Sequence, residues 1–195
     1  MKWVVLSILG FVVAYTLVNL RYRKPGRAFE PHEDLKNRAT TARLLAAGWQ
    51  RIPVTARRPA DITAVPAAGT GAIVARGGAG LPAELAAAFV EAPRLTAGFG
   101  RVAAPREIAR GADYSATFQC GFADLKAQLG DISLYRKGSV VVLIPSIEPV
   151  PGQLLSRAQD GFYCLSFPTQ SLPPGRYTAL LVARGPAAKW EFFVK

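Results

Sequence analysis

The residues best suited to chemistry are few. Cys120, Cys164, His32 and Met1 are the only side chains of the soft and borderline metal-binding types. Zinc and copper sites take such groups in close pairs or in clusters. The chain has no Cys-x-x-Cys, no pair of histidines and no Met-rich stretch, so we expect no metal site. Nucleophilic catalysis needs a hydroxyl or thiol beside a base. No Gly-x-Ser-x-Gly occurs, and His32 is far in sequence from every candidate nucleophile. The acids show no spacing that points two carboxylates at one bond. The expectation is a chain that is not an enzyme, with no catalytic residue and no cofactor.

Gly78-x-Gly80-x-x-Ala83 has the outline of a dinucleotide fingerprint, since it follows a short apolar run and opens a helix. Pro82 interrupts the glycine turn, however, and β-rich sequence follows where parallel βαβ units would be needed. It reads as a Gly-rich approach to a short helix. The cysteines sit in strand-like runs. Phe118, Cys120 and Phe122 share one face of theirs; Phe162, Cys164 and Ser166 share one face of the other. If the two strands are neighbours and the domain is exported, Cys120 and Cys164 are the candidate disulfide. Residues 121–163 lack the Trp of an antibody-type core.

These residues must be positioned by strands. From about Arg94 the apolar period is two, with turn signals at Lys137-Gly138, Asp160-Gly161, Pro173-Pro174-Gly175 and Gly185-Pro186. Strands are expected at 95–102, 113–122, 131–136, 139–144, 162–167, 176–184 and 189–194. That predicts a mainly β fold ending in an antiparallel, Ig-like β-sandwich over 94–195. The wholly apolar Val140–Ile144 implies a strand covered on both faces or one facing a partner. Val140, Val142, Trp190 and Phe193 are the candidate partner contacts, with a core position as the plainer alternative for each.

Residues 25–93 read as a basic connector with two short helices. The first is expected over 31–47, with Pro31 in its first turn and Gly48 just past its end. Its stripe of Leu35, Ala39, Ala42 and Leu45, with Ala46, is expected to pack inward because it lacks bulky aromatics, with a lipid-facing blade as the alternative. WQRIPVTA (49–56) predicts a strand that Pro53 confines to an edge. Residues 57–80 predict a loop and 81–90 a second short helix.

Ahead of all this stands WVVLSILGFVVAYTLVNL, residues 3–20, without a charge. As a helix it would be about 27 Å long, close to the hydrocarbon thickness of a bilayer. Residues 1–24 are expected to be a retained transmembrane anchor. A cleaved signal or a buried soluble helix are the alternatives. The run is long for a signal h-region, and no small-x-small cleavage site follows it. Arg21, Arg23, Lys24 and Arg27 are candidate contacts to lipid headgroups. Their charge argues for a cytoplasmic body, whereas the layout of a short-tailed anchor before a β-rich domain argues for the exported face, which we expect. The formal charge is +11. Ten Arg or Lys against three acids in residues 21–58 put +7 beside the membrane. No stacking aromatics interleave with these cations, so no nucleic-acid partner is expected.

One N-terminal helix, a connector and a sandwich closing on PPGRYTALLVARGPAAKWEFFVK resemble the small membrane-anchored accessory proteins of respiratory oxidase assembly, the FixH type. The matching residues are the closing hairpin, Pro174–Val194, together with the layout. The long basic connector departs from that family. So does the lack of metal ligands, which argues against direct copper delivery. The resemblance implies an accessory subunit with a protein partner in the membrane, and it supplies no site residues. The alternative is an anchored binding module for an envelope polymer or a small ligand.

Overall fold

The apolar N-terminal run folds into one helix, α1 (Lys2–Tyr22). In this computed structural model, which describes residues 2–22, 32–58, 72–150, 155–156 and 158–195, α1 belongs to the first of two compact units, Met1–Lys36 and Asn37–Lys195. The window Lys2–Asn19 has a mean hydropathy of 1.7 and is 0% buried. It is long and apolar enough to cross a membrane, a property that an N-terminal signal sequence shares. Inside it the Thr16 hydroxyl donates to the Val12 carbonyl at 2.8 Å, so this polar group needs no water.

The helix α2 (His32–Ala46) follows, and the unit boundary runs through it. The second unit continues with β1 (Gln50–Ile52), β2 (Thr55–Arg57), β3 (Ala75–Ala79), α3 (Ala83–Ala88), β4 (Gly98–Ala103) and β5 (Glu107–Ile108). Then come β6 (Asp113–Gly121), β7 (Ala127–Lys137), β8 (Val140–Pro149), β9 (Asp160–Pro168), β10 (Gly175–Leu181) and β11 (Pro186–Val194). The first sheet runs β1-β7-β8-β10-β11-β3, with β5 on the other half of β11; the second runs β2-β9-β6-β4. The fold is thus mainly β, with two sheets in a sandwich-like layout.

The expectation of a purely antiparallel sandwich is corrected at two places. β8 and β10 are parallel, Val141 opposite Ala179 and Leu143 opposite Leu181. The chain leaves the first sheet between them to form β9 in the second, so β10 returns in the direction of β8. β5 and β11 are also parallel. The single edge strand expected over 49–56 is instead two. β1 pairs with β7 at the rim of one sheet, and β2 pairs with β9 at the rim of the other. Pro53, which cannot donate to a ladder, lies at the crossing. The segment read as a connector therefore supplies β1, β2 and β3 to the sheets. Residues 59–71 of its predicted loop lie outside the described residues.

Strand alternation builds the core between the sheets. Tyr114, Ala116, Phe118 and Cys120 of β6 and Tyr163, Leu165 and Phe167 of β9 face Leu134, Val141, Leu143, Ala179, Leu181, Trp190 and Phe192 of the first sheet. Aromatic rings join the two layers, Tyr114 lying 4.4 Å from Phe192 and 5.0 Å from Phe167 between centroids. The two-residue turn Gly138-Ser139 between β7 and β8 has Gly138 at φ +60°, the first central position of a II′ hairpin, which favours glycine.

A second core lies on the opposite face of the first sheet. Tyr135, Val142, Ile144 and Val182 meet Leu44 from α2, Trp49, and Leu85 and Ala88 from α3. The end of α2 fixes this cover. Gly48, at φ +81°, donates to the Leu45 carbonyl, and Trp49 N–H donates to that of Leu44 at 2.8 Å. These are the two bonds of a Schellman motif, and its usual apolar contact is made by buried Leu44 and Trp49. Thr40 accepts the N–H of Val90 at 3.3 Å. The inward face of α2 is thus Thr40, Leu44 and Ala47. The expected inward stripe is corrected: Ala39, Ala42, Leu45 and Ala46 are exposed.

Candidate interaction surface

The helical cover ends partway across the first sheet. Beyond it, register aligns Val140, Thr178 and Glu191 across β8, β10 and β11. A second row aligns Arg176, Phe193 and Glu107 across β10, β11 and β5. Residues directly opposite each other share a face. Val140 is 38% exposed and Phe193 41%, so two apolar side chains stand in a field of charge. Arg176 Nη1 is 3.9 Å from Glu191 Oε2, and Lys195 pairs with Glu107. That hydrogen bond and the lysine charge hold the Glu107 carboxyl below its usual range.

Two shallow grooves flank β11 where β3 and β5 leave its edge. One, of about 220 Å³, is lined by Arg106, Glu107, Arg176, Glu191, Phe192 and Phe193. The other, of about 310 Å³, is lined by residues that include Ile73, Arg106, Lys189, Trp190 and Glu191. Ile73 is 89% exposed. Sequence reasoning passed over it because a lone isoleucine in an Ala- and Gly-rich run has no periodicity. It likewise missed Arg106 and Lys189, which converge only through the fold.

Of the four expected partner contacts, Val140 and Phe193 lie on this open surface. Val142 and Trp190 are corrected to core positions. Val142 is buried under the α2–α3 cover, and Trp190 lies between the sheets. The Trp190 Nε1–H donates to the Tyr114 hydroxyl at 2.8 Å, which donates to the Pro105 carbonyl at 3.0 Å. Burial raises the Tyr114 phenol well above its usual range.

The candidate disulfide is also corrected. β6 and β9 are neighbours, but Cys120 lies opposite Gly161 and Cys164 opposite Thr117. Cys120 therefore points into the core and Cys164 out of the sheet, and both are free thiols. Burial pushes the Cys120 thiol up to about 12, which makes it inert. Among the described residues no group of three or more His, Cys, Asp or Glu side chains is placed to hold a metal. The side chain of His32 lies outside the described residues. Of the expected headgroup contacts Arg21 is exposed at the end of α1; Arg23, Lys24 and Arg27 lie outside the described residues. No family model, curated protein or solved structure matches this chain.

Proposed function

We propose that this is a non-enzymatic, single-pass membrane protein whose two-sheet domain binds a protein partner as an accessory or assembly subunit of a larger membrane complex. The observation that carries this reading is α1, an apolar helix whose spanning-length window has no side chain buried by the rest of the chain. Such a surface is stable in hydrocarbon and not in water. Support for a partner comes from the row of Arg176, Phe193 and Glu107 with Val140 nearby, a small apolar centre rimmed by charge. The FixH-type layout suggests a respiratory oxidase as the kind of complex, with the domain on the exported face.

The test is a photo-crosslinking residue at Phe193 or Val140 in the full chain, read in membranes and after extraction in mild detergent. One stoichiometric protein adduct, lost when the crosslinker is moved to Ser115 on the other sheet, is the expected result. A clean monomer without adduct in several detergents overturns it. A second reading, an anchored module for an envelope polymer or small ligand, is favoured by the groove that sets the exposed Ile73 beside Arg106 and Lys189. Saturable binding of such a ligand, abolished by Ile73→Asp, would establish that reading instead.

A further inference from the structure

The outward face of α2 is the unexplained surface. A helix that packs on its own sheet through Thr40, Leu44 and Ala47 would ordinarily turn polar residues outward. This one turns out Ala39, Ala42, Leu45 and Ala46, with Leu45 61% exposed. Arg43 is exposed beside them, in the last turn of the helix. Val90, held to Thr40, is a further exposed apolar residue next to the helix.

We propose that this face of α2 docks on the bilayer surface, Ala42, Leu45 and Ala46 entering the headgroup boundary and Arg43 engaging anionic lipid headgroups. The inference rests on α1 being a retained anchor. α1 ends at Tyr22 and α2 begins at His32, so the intervening chain reaches about 30 Å at full extension. The occupant is thus never far from the face. One leucine and a few alanines are too little apolar area to hold a free protein on a membrane. On a tethered domain the contact is intramolecular, with an effective concentration on the order of millimolar, and weak contacts suffice. Charge selects lipid over a second copy of the chain. Two α2 faces would set Arg43 against its own kind, whereas anionic headgroups complement it.

The experiment uses the full chain in nanodiscs. The background is Cys164→Ser, with Leu45→Cys carrying an environment-sensitive fluorophore; Cys120 stays, since it is buried. Shallow spin-labelled lipids should quench the Leu45 label several-fold more than a label at Asn37, on a different face of α2. Replacing anionic by zwitterionic lipid, or adding salt, should reduce the difference. Arg43→Gln should lower the docked fraction by roughly fivefold. Equal, water-like quenching at both positions in protein that remains in the discs overturns the inference and leaves the anchor standing. Label–label excimers at Leu45 would overturn it in favour of a second copy. Recovery of the protein outside the discs would bring down the anchor reading itself. Unchanged Trp emission in each variant shows that the α2 cover is intact.

Discussion

On the outer face of the first sheet, Tyr135, Val142, Ile144 and Val182 lie under α2 and α3. On the outer face of the second, Ser115, Thr117, Cys164 and Ser166 share the same kind of position in register and are exposed or half-buried. The strands record the difference. β8 runs Val-Val-Leu-Ile over 141–144 because both of its faces are covered there, whereas β6 and β9 alternate because one of theirs is not. Where the first sheet carries a second apolar layer, β8 also holds the longest apolar run of any strand among the described residues. A change on the two outer faces should therefore have opposite consequences.

A charge gives the largest contrast. Val142→Lys puts an ammonium with no partner under α3, and we expect a loss of about 4 kcal/mol or more, enough to unfold a marginal domain. Ser115→Lys, in the exposed position on the other sheet, should stay within about 0.5 kcal/mol. Urea unfolding of both variants checks this. Equal losses would mean that the α2–α3 cover is not a core.

Leu85→Ala asks the same of the cover itself. Leu85 is fully buried on the six-residue α3, and its truncation should cost about 2–5 kcal/mol. The Lys137–Glu84 ion pair at 2.8 Å lies at the rim of this cover, with both side chains well exposed. It holds the Glu84 carboxyl below its usual range, but Glu84→Gln should move the midpoint little. A larger effect for Glu84 than for Leu85 would reverse the ranking of packing over charge.

Much of this contrast is legible in the residues. Val140–Ile144 announces a doubly covered strand, Gly48 marks the end of α2, and the alternation of Tyr114, Ala116, Phe118 and Cys120 fixes their common face. Other features are not local properties. β3 is Ala-Arg-Gly-Gly-Ala and β5 is two residues long, so neither has a β signature of its own; each exists because β11 offers an edge. The stripe on α2 misleads because Thr40 and Leu44, rather than the alanines, are held by Val90 and Trp49. The cysteine pair misleads because parity on each strand says nothing of register between strands. A slip of one residue would put Cys120 and Cys164 on one face.

Alkaline pH probes the inner side of the second sheet. The Cys120 thiol keeps its proton to about pH 12 when folded, whereas the unfolded chain releases it near 9. Its folded value is raised, so its contribution is fully present below pH 9 and is lost as pH rises from there towards 12. The slope is about 1.4 kcal/mol per pH unit. Burial of Tyr114 acts in the same sense at higher pH. Stability measured at pH 8, 9 and 10 should fall less steeply in Cys120→Ala than in the parent. Parallel curves would remove Cys120 from the core.

The smallest effect is the cleanest comparison, because it sets one thiol against the other on the same pair of strands. Cys164 lies on the outer face beside Thr117 and should react with a maleimide in the native protein, one equivalent per chain. Cys120 should react only after denaturation. Cys164→Ser should shift stability by no more than about 0.5 kcal/mol, since its thiol fills no core. If oxidant joined the two cysteines in the folded state, β6 and β9 would have to slip by three residues to set Cys120 opposite Cys164, which reverses the faces of one strand. That would turn Tyr114, Phe118 or Leu165 out to water, and the cost of exposing even one such side chain, about 1.5–3 kcal/mol, forbids it.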